Sequence, residues 1–437
     1  MIPQRPLLLL FVSTLASFTT CFGSFKEDLA VTNNKYMPHY VKQPESFGLI
    51  SRFNRAIPLS VSSKMVSVDD YGAKGDGGDD AKAFEEAWNK ACSERVDLVV
   101  PKYRTYHLKP IIFYGPCHSN FVLKIYGTIK ASINISDYEK DRRHWLLFKN
   151  LTNFRVEGGG IINGNGRKWW ENSCKINKTL PCKHPPTAVT FSECNNLRVK
   201  NLRIQNPQQM HLSFGNCVNV KVSNLIITAP GDSPNTDGIH VTGTQNIQIK
   251  KCVIGTGDDC ISIKSGSTNV KATDIVCGPG HGISIGSLGA GNSEANVSNV
   301  LVNRAKLSGT TNGVRIKTWQ GGSGYAKDIK FQNIAMQNVT NPIIINQDYC
   351  DQEKSCSEQV KAVQVSNVVY KNIGGTSASE VVIKFECSKS FPCKGIWMQN
   401  INLVREGNGN VKGSCVNIRY SSRGKISPQC LIEKLTS

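Results

Sequence analysis

Apolar and polar residues alternate in short runs that recur from residue 196 onward, and each run begins with an asparagine. The clearest runs are residues 196–202, 219–225, 246–249 and 269–272. β-Branched residues dominate these runs, which favours strands with one buried face. Asparagine tolerates a left-handed backbone, and its amide can stack on that of a neighbouring repeat. We therefore expect a bend and an amide ladder where the runs begin.

A unit that returns roughly every 22 residues predicts a solenoid, in which each repeat is one coil stacked on the last. Because helix signals are few, we predict an all-β fold, a right-handed parallel β-helix. One helix is expected from Asp79 or Asp80 to about Cys92, where it would cap the N-terminal end of the solenoid. It is indicated by apolar residues that share one helical face: Phe84, Ala87, Trp88 and Ala91.

Residues 158–166 are rich in glycine, but neither a helix pattern nor a Lys-Ser/Thr pair follows them, as a phosphate-binding loop would require. We therefore predict a tight corner of the solenoid. Trp169 and Trp170 come next, and we favour packing over a place in a sugar-binding subsite for both.

The N-terminal residues have the pattern of a secreted protein. An apolar stretch at residues 7–18 follows Arg5 and precedes small and polar residues, which predicts a signal peptide over residues 1–24. Residues 25–64 are polar and lack periodicity, so we interpret them as a pro-segment or flexible extension. Residues 65–437 would then form one parallel β-helix domain, because a solenoid core grows coil by coil. No apolar run is long enough to cross a membrane.

The 16 cysteines agree with secretion, since a cytosolic β-protein seldom carries so many. Loss of Cys21 with the signal peptide would leave an odd number, so at least one thiol should be free or pair outside the chain. Spacing alone proves no pairing, but four short-range pairs are candidates: Cys260 with Cys277, Cys350 with Cys356, Cys387 with Cys393, and Cys415 with Cys430. Five Asn-X-Ser/Thr sites are possible glycan acceptors in a secreted chain: Asn134, Asn150, Asn177, Asn296 and Asn338.

The formal charge of +19 predicts affinity for polyanions. The sequence shows neither a compact basic run with interleaved aromatic residues nor a zinc finger, so we expect no nucleic-acid partner. A secreted chain would meet acidic polysaccharide instead. A basic surface kept only for solubility is the alternative, but it does not explain the placement of Arg315 and Lys317.

Four polar clusters interrupt the apolar pattern at nearly constant spacing, at residues 235–238, 257–260, 280–282 and 315–317. When the repeats are aligned, their residues fall into three columns. The columns are Asp237, Asp259 and His281; Ile239, Ile261, Ile283 and Val314; and His240, Ser262, Ser284 and Arg315.

Side chains alternate along a strand, so the apolar column should point inward and the His240 column outward. Stacked coils lie about 4.8 Å apart, which should make Asp237 and Asp259 close neighbours. Asp258 would lie beside them and His281 one coil further on. Arg315 and Lys317 would lie at the edge of this cluster.

Clustered carboxylates raise one another's pKa, which makes one of them a suitable proton donor. Glycoside hydrolysis needs such a pair, one carboxyl to protonate the leaving oxygen and one to activate water or attack. Arg315 and Lys317 would bind the carboxylates of an acidic sugar. A corner of aspartates that only accept backbone hydrogen bonds is the structural alternative. Calcium is another alternative, although the histidine and the cations argue against it, and zinc would need more His or Cys ligands.

The order of these motifs resembles the signature of the polygalacturonases, glycoside hydrolase family 28. The motifs are Asn235-Thr236-Asp237, Gly257-Asp258-Asp259, Gly280-His281-Gly282 and Arg315-Ile316-Lys317. The sequence around them, at residues 233–238, 277–289 and 315–322, is similar to plant members. The similarity extends from about Val66 to the C-terminus.

The resemblance implies a right-handed β-helix that hydrolyses α-1,4-galacturonosyl bonds of pectin with inversion, in the plant cell wall, without cofactor or metal. Asp258 would be the general acid, and Asp237 and Asp259 would activate water. His281 would support the protonation state of the acid. The expected substrate-binding residues are Asn235, which shapes the site, Arg315, Lys317 and Tyr349.

We expect a monomer whose partner is polygalacturonate, with no membrane association after signal removal, and we favour endo action. One rival is a calcium-dependent enzyme like the pectate lyases, which would release unsaturated products and fail with chelator. A pectin-binding wall protein without activity is the other rival. Spacing alone does not separate a retaining from an inverting carboxyl distance.

Overall fold

The computed structural model describes residues 64–118, 120–351 and 356–432. Two helices occur in these residues, α1 (Ala81–Glu94) and α2 (Arg167–Glu171). The strands are β1 (Met65–Ser67), β2 (Asp97–Val100), β3 (Thr105–Leu108), β4 (Ile111–Tyr114), β5 (Val122–Ile125), β6 (Thr128–Ala131), β7 (His144–Lys149), β8 (Arg155–Glu157), β9 (Ile161–Asn163), β10 (Thr187–Ser192), β11 (Asn195–Gln205), β12 (Leu212–Gly215), β13 (Val218–Thr228), β14 (Ile239–Thr242), β15 (Gln245–Gly255), β16 (Ile261–Ile263), β17 (Thr268–Cys277), β18 (Ile283–Leu288), β19 (Glu294–Ser308), β20 (Asn312–Trp319), β21 (Ser323–Val339), β22 (Asn341–Tyr349), β23 (Gln364–Ser377), β24 (Val381–Glu386), β25 (Cys393–Arg405), β26 (Lys412–Val416), β27 (Ile418–Ser427) and β28 (Cys430–Ile432).

The strands form two parallel sheets. The short sheet has 12 strands, and its order from β28 through β26, β24 and so on to β4 follows the chain coil by coil. The long sheet has 16 strands, and its longer members run from β11 to β27. The first coils each place two short strands in the long sheet and one in the short sheet, and from β11 onward each coil contributes one strand to each sheet and returns parallel to the previous coil. The predicted all-β, right-handed parallel β-helix is confirmed.

Stacked apolar side chains form the interior of the short sheet. Ile239 pairs with Ile261, Ile261 with Ile283, and Ile283 with Val314. All four are fully buried. The neighbouring column also has the expected register, because His240 pairs with Ser262, Ser262 with Ser284, and Ser284 with Arg315.

Asparagine ladders form where the long strands bend, as expected. Asn224 has a φ of 53° and donates through Nδ2 to Oδ1 of Asn201, which has a φ of 52°, at 3.2 Å. Asn246 donates in the same way to Asn219 at 2.6 Å. The amide of each coil thus satisfies the amide of the next coil at a left-handed bend.

Helix α1 packs against the first strands of the solenoid through the face that the sequence predicted. Trp88 is 1% exposed and contacts Phe113, Phe121, Phe148 and Phe154. Oδ1 of Asp79 accepts a hydrogen bond from the amide of Ala81, which satisfies one free donor of the first turn.

The corner at residues 158–166 contains β9 and Gly158 with a φ of 141°. The five-residue helix α2 follows it, which the sequence pattern did not predict. Both tryptophans of α2 pack, as expected. Trp169 is 4% exposed and contacts Tyr138, and Trp170 donates through Nε1 to the carbonyl of Pro207.

All four candidate disulfides are present: Cys260–Cys277, Cys350–Cys356, Cys387–Cys393 and Cys415–Cys430. Two further disulfides join Cys92 to Cys117 and Cys174 to Cys182. Among the cysteines that the structure describes, three are buried and free: Cys194, Cys217 and Cys252. The expectation of at least one unpaired thiol is therefore confirmed.

The predicted signal peptide, the predicted extension and Cys21 lie outside the described residues, apart from Lys64 at the end of that extension. The domain boundary before Met65 stays a prediction. Within the described residues, no helix combines the length and apolar character that crossing a membrane requires.

Candidate active site

A cleft lies on the outer face of the short sheet, where β14, β16, β18 and β20 lie side by side. All eight residues that the sequence singled out line it: Asn235, Asp237, Asp258, Asp259, His281, Arg315, Lys317 and Tyr349. Asp237, Asp259 and His281 each stand two residues before the start of a strand. Arg315 and Lys317 point outward from β20 itself. The solenoid therefore brings together residues that lie more than 100 positions apart in the sequence.

His281 lies between two glycines, and the backbone at both positions disfavours any residue that has a side chain. Gly280 has a φ of 144° and Gly282 a φ of 83°, in the region that favours glycine. A Cβ at Gly282 would overlap the carbonyl oxygen of Asn312 on the next coil. This close approach of the two backbones fixes where the imidazole leaves the chain.

Asp259 lies at the base of the cleft and is held by cations. Its side chain is 2% exposed. Nζ of Lys317 lies 2.9 Å from Oδ2, and Nη2 of Arg315 lies 3.1 Å from Oδ1. The hydroxyl of Ser284 also donates to Oδ1, at 2.7 Å. Because both oxygens accept charge-assisted hydrogen bonds, this carboxylate has a fixed orientation.

Asp258 forms a close pair with His281. Nδ1 of His281 lies 3.0 Å from Oδ1 of Asp258, and Nδ2 of Asn235 donates to Oδ2 at 3.4 Å. Burial alone would raise the pKa of Asp258, but the hydrogen bond and charge of His281 and the charge of Lys317 outweigh it and lower this pKa to about 2. The same hydrogen bond raises the pKa of His281, against the effect of burial. At pH values between the two pKa values, the proton of this pair therefore resides on the imidazole.

Asp237 has a different electrostatic environment. Burial, and next the negative charge of Asp258, raise the pKa of Asp237, and a histidine compensates only in part. That histidine is His240, whose Nδ1 lies 3.9 Å from Oδ2 of Asp237 and 2.8 Å from the hydroxyl of Ser262. Of the two aspartates with opposite shifts, Asp237 is the one that holds its proton to higher pH.

The structure adds residues that the sequence analysis did not select. His211 is fully buried, and both its backbone N–H and its Nδ1 lie within 3.0 Å of the carbonyl oxygen of Asp237. Burial lowers the pKa of His211 to about 4, so the ring is neutral at mildly acidic pH. No repeat motif marks this residue.

Lys264 extends the cationic side of the cleft. Its Nζ donates to the carbonyl and the hydroxyl of Ser287, at 3.2 and 3.3 Å. Burial, and next the charge of Lys317, lower the pKa of Lys264. Lys264 follows Ser262 and Ile263 in the alternating pattern, so strand periodicity could have identified it.

Tyr349 lies beside the cations of the cleft. Nζ of Lys317 lies 5.4 Å from the centre of its ring, and Trp319 contacts the ring edge to face at 5.2 Å. Burial raises the pKa of Tyr349 to about 12, so its hydroxyl stays protonated and can donate a hydrogen bond.

Two loops, each closed by a disulfide, meet at the rim of the cleft. Nζ of Lys175 lies 2.8 Å from Oδ1 of Asp351, and both residues line the cleft. Cys174 and Cys350, the neighbours of these two residues, belong to the short disulfide loops Cys174–Cys182 and Cys350–Cys356. Loop residues carry no periodic signal, which is why the sequence analysis missed this ion pair.

A cation could be held by Asp258, Asp259 and His281, whose ligand atoms lie within 4.8 Å of one another. Both oxygens of Asp259 already accept hydrogen bonds from Lys317 and Arg315, and a metal would compete with these positive charges. We therefore keep the expectation that the chemistry needs no metal.

Comparison with known sequences gives long matches. The family model for glycosyl hydrolases family 28 matches residues 92–427. The chain is 56% identical over 437 residues to Polygalacturonase QRT2 from Arabidopsis thaliana, with 97% of this chain and 99% of the relative covered. It is 52% identical over 446 residues to Polygalacturonase-2 from Solanum lycopersicum, with 98% of this chain and 96% of the relative covered.

Solved structures share the fold at lower identity. The exopolygalacturonase from Thermotoga maritima superposes with a TM-score of 0.70 at 22% identity, covering 82% of this chain and 90% of that one. The polygalacturonase from Erwinia carotovora ssp. carotovora has a TM-score of 0.65 at 22% identity, covering 82% and 96%. At such identities the likeness concerns the solenoid alone.

Proposed function

Because the chain belongs to glycosyl hydrolases family 28, we propose that it is a polygalacturonase that hydrolyses α-1,4-galacturonosyl linkages of pectin. One observation carries this proposal, namely that three aspartates and two cations converge in one open cleft. The carboxylates suit hydrolysis of a glycosidic bond, and the cations suit a sugar that carries a carboxylate.

Arg315 and Lys317 would hold the galacturonate carboxylate. Arg315 bonds Ser284 through Nε and Asp259 through Nη2, and a guanidinium has five N–H donors in total, so donors remain for a ligand. The Lys317 ammonium is 5.4 Å from the centre of the Tyr349 ring, which lets the sugar contact the ring while its carboxylate approaches the cation.

We assign Asp258 as the general acid, with His281 as its proton reservoir. The Lys317 charge contributes to the low pKa of Asp258. A bound galacturonate carboxylate would neutralise that charge, so the pKa of Asp258 would rise and the proton would move from Nδ1 of His281 to the carboxylate. Asp237 and Asp259 would then activate the attacking water.

The raised pKa of Asp237 favours the opposite assignment, with Asp237 as the proton donor. An aryl galacturonide with an acidic phenol separates the two, because its leaving group needs no protonation. With Asp258 as the acid, Asp258→Asn retains far more activity on this substrate than on the polymer, whereas Asp237→Asn loses activity on both. The reverse pattern would move the acid role to Asp237.

The proposed reaction is tested by incubating the enzyme with polygalacturonic acid and a chelator. New reducing ends without ultraviolet-absorbing unsaturated products are expected. Unsaturated products, or loss of activity with chelator, would indicate a calcium-dependent lyase. Retained binding without new reducing ends would indicate a wall protein that only binds pectin.

We further propose that the enzyme is a monomeric protein of the cell wall, that it cleaves within the polymer (endo action) and that it inverts the anomeric configuration. Endo action predicts mixed galacturonate oligomers early in the digest, whereas release of single galacturonic acid units alone would mean exo action. Inversion is checked by NMR of the first product, which should have the β-anomeric configuration at its new reducing end. Secretion is checked by locating a tagged chain, and the oligomeric state by light scattering.

A further inference from the structure

The outer face of the long sheet carries cations at one register position of successive coils. Residues at this position pair in the order Arg155, Arg198, Lys221, Gln248, Lys271, Leu301 and Lys330. We name the five basic residues of this row, Arg155, Arg198, Lys221, Lys271 and Lys330, the cationic ladder. The row belongs to a different sheet from the catalytic cleft.

The ladder is accessible and lacks acidic partners. Arg198, Lys221, Lys271 and Lys330 are exposed, and Arg155 is half-buried. Across residues 64–118, 120–351 and 356–432, none of the five forms an ion pair. Other surface cations do find acids, as Lys200 does with Glu157 at 3.0 Å.

The regular spacing of the ladder suits the binding of an extended polyanion along the row. Coils lie about 4.8 Å apart, so six steps from Arg155 to Lys330 span about 29 Å. Like charges in register on adjacent strands repel each other and destabilise the sheet. A row of this kind therefore costs stability in the free protein, and a bound polyanion would remove that cost.

The row continues past Lys330 into an aromatic residue beside a groove. Val369 pairs with Lys330, and Trp397, which is 37% exposed, pairs with Val369. Leu301, Lys330 and Val369 line the groove. An exposed indole ring offers an apolar surface for the face of a sugar ring. Trp397 lies two coils, about 9.6 Å, from Lys330, whose ammonium could bind the carboxylate of a neighbouring sugar.

We propose that the cationic ladder and Trp397 form a second binding surface for an acidic polysaccharide, a polyuronate chain lying along the solenoid axis away from the cleft. The choice of polyuronate as the occupant rests on the proposed function. Two contacts with one polymer network would keep the enzyme on its substrate between cuts, because the second contact becomes intramolecular.

The test compares two variants with the same loss of charge. The ladder variant combines Arg198→Gln, Lys221→Gln, Lys271→Gln and Lys330→Gln. The control variant combines exposed cations elsewhere: Lys82→Gln, Lys102→Gln, Lys389→Gln and Lys425→Gln. Binding to insoluble polygalacturonate is measured against NaCl concentration, with a saturating galacturonate trimer present to occupy the cleft. Turnover of a soluble galacturonate oligomer is measured in parallel.

We expect the ladder variant to lose roughly tenfold or more in affinity for the polymer and to show a shallower salt dependence. The control variant should stay within about twofold of the wild type, since net charge alone acts weakly at physiological salt. Turnover of the short oligomer should be unchanged in both. Trp397→Ala should weaken polymer binding without changing the salt dependence.

Equal losses in the ladder and control variants, or no loss in the ladder variant, would overturn the proposal. Competition by RNA as strong as competition by polygalacturonate would also overturn it, because it would show attraction to any polyanion. If the fourfold variant does not fold, the pairs Arg198→Gln with Lys221→Gln and Lys271→Gln with Lys330→Gln replace it. Ladder-dependent binding by an enzyme that cuts no polygalacturonate would refute the proposed function while leaving this inference intact.

Discussion

Side chains alternate between inward and outward positions in both sheets, but the outward side chains of the short and long sheets have different environments. On the long sheet, outward side chains such as Lys221 and Lys271 extend into solvent, and within the described part of the chain neither forms an ion pair. On the short sheet, outward side chains bury one another, and Asp259, Ser284 and Lys317 are all less than one-tenth exposed. Alternation thus decides which side chains leave the core, but neighbouring coils decide whether those side chains meet water or each other.

This difference concentrates coupled charges in the cleft. Four aspartates, two histidines and four cations of the cleft lie within hydrogen-bonding or ion-pairing reach of a neighbour, and several pKa values shift as a result. On the long sheet, the exposed cations of the ladder are separate, solvated charges. Substitutions in the cleft should therefore have large, pH-dependent effects that matched substitutions on the long sheet lack.

The largest contrast is expected for the carboxylate assigned as the acid. Asp258→Asn should lower turnover of polygalacturonate by about 10³-fold or more, because it removes proton donation to the leaving oxygen. Affinity for polygalacturonate should stay within a few-fold. Asp328→Asn on the long sheet is the matched control for turnover and should leave turnover unchanged. Turnover by Asp258→Asn close to that of the wild type would refute the assignment of this residue.

The next contrast concerns a buried cation. Lys317→Gln should lower the free energy of unfolding by about 3 kcal/mol, since it removes one charge of a buried ion pair and leaves Asp259 with fewer partners. Lys271→Gln on the long sheet should change the free energy by less than about 0.5 kcal/mol. Urea denaturation of both variants measures these values, and equal effects would mean that the cleft lysine is solvated like the exposed one.

The His281–Asp258 pair should make stability depend on pH. The raised pKa of His281 contributes stability that is present below the unfolded value of about 6.5 and is lost as pH rises through the folded value. The pKa of Asp258, lowered to about 2, contributes stability that is lost as pH falls below about 4. The His281 side chain is 40% exposed, so solvent screens the pair. His281→Gln should therefore cost about 1 kcal/mol between roughly pH 4 and 6.5, and less outside that window. A cost that is constant with pH would show that the two side chains do not form a charged pair.

The smallest predicted effect is an increase in stability rather than a loss, and it concerns Asp237. Burial raises the pKa of Asp237, so ionising this carboxyl costs the folded state stability as pH rises above the unfolded value of about 4. Asp237→Asn should therefore melt at a higher temperature than the wild type at pH 7, with a smaller difference at pH 4. Asp328→Asn should show no such trend. A variant less stable than the wild type at both pH values would contradict the raised pKa.

The coils from residue 235 to residue 317 were the most predictable part of the molecule. Strict spacing fixed the register of Ile239, Ile261 and Ile283, and register fixed which polar residues meet. Lys264 could have been found by extending the same alternation two residues further. Because stacked strands repeat at a regular spacing, the sequence period predicts the position of each side chain that lies on a strand.

Residues outside the strands were not predictable in this way. Lys175 and Asp351 lie in loops, and their contact depends on loop conformations that no repeat encodes. His211 was missed because its importance comes from its contact with the backbone of Asp237 rather than from a motif. Helix α2 is only one turn long, too short to show a helical period.

The most direct test of the account is a crystal structure of the Asp258→Asn variant with a bound galacturonate oligomer. We predict that a sugar carboxylate contacts Arg315 and Lys317, and that the glycosidic oxygen lies about 2.6 to 3.2 Å from the side chain at position 258. A water molecule should stand near Asp237 and Asp259 on the other face of the sugar. An oligomer that avoids this cleft, or that turns its carboxylates away from both cations, would contradict the account.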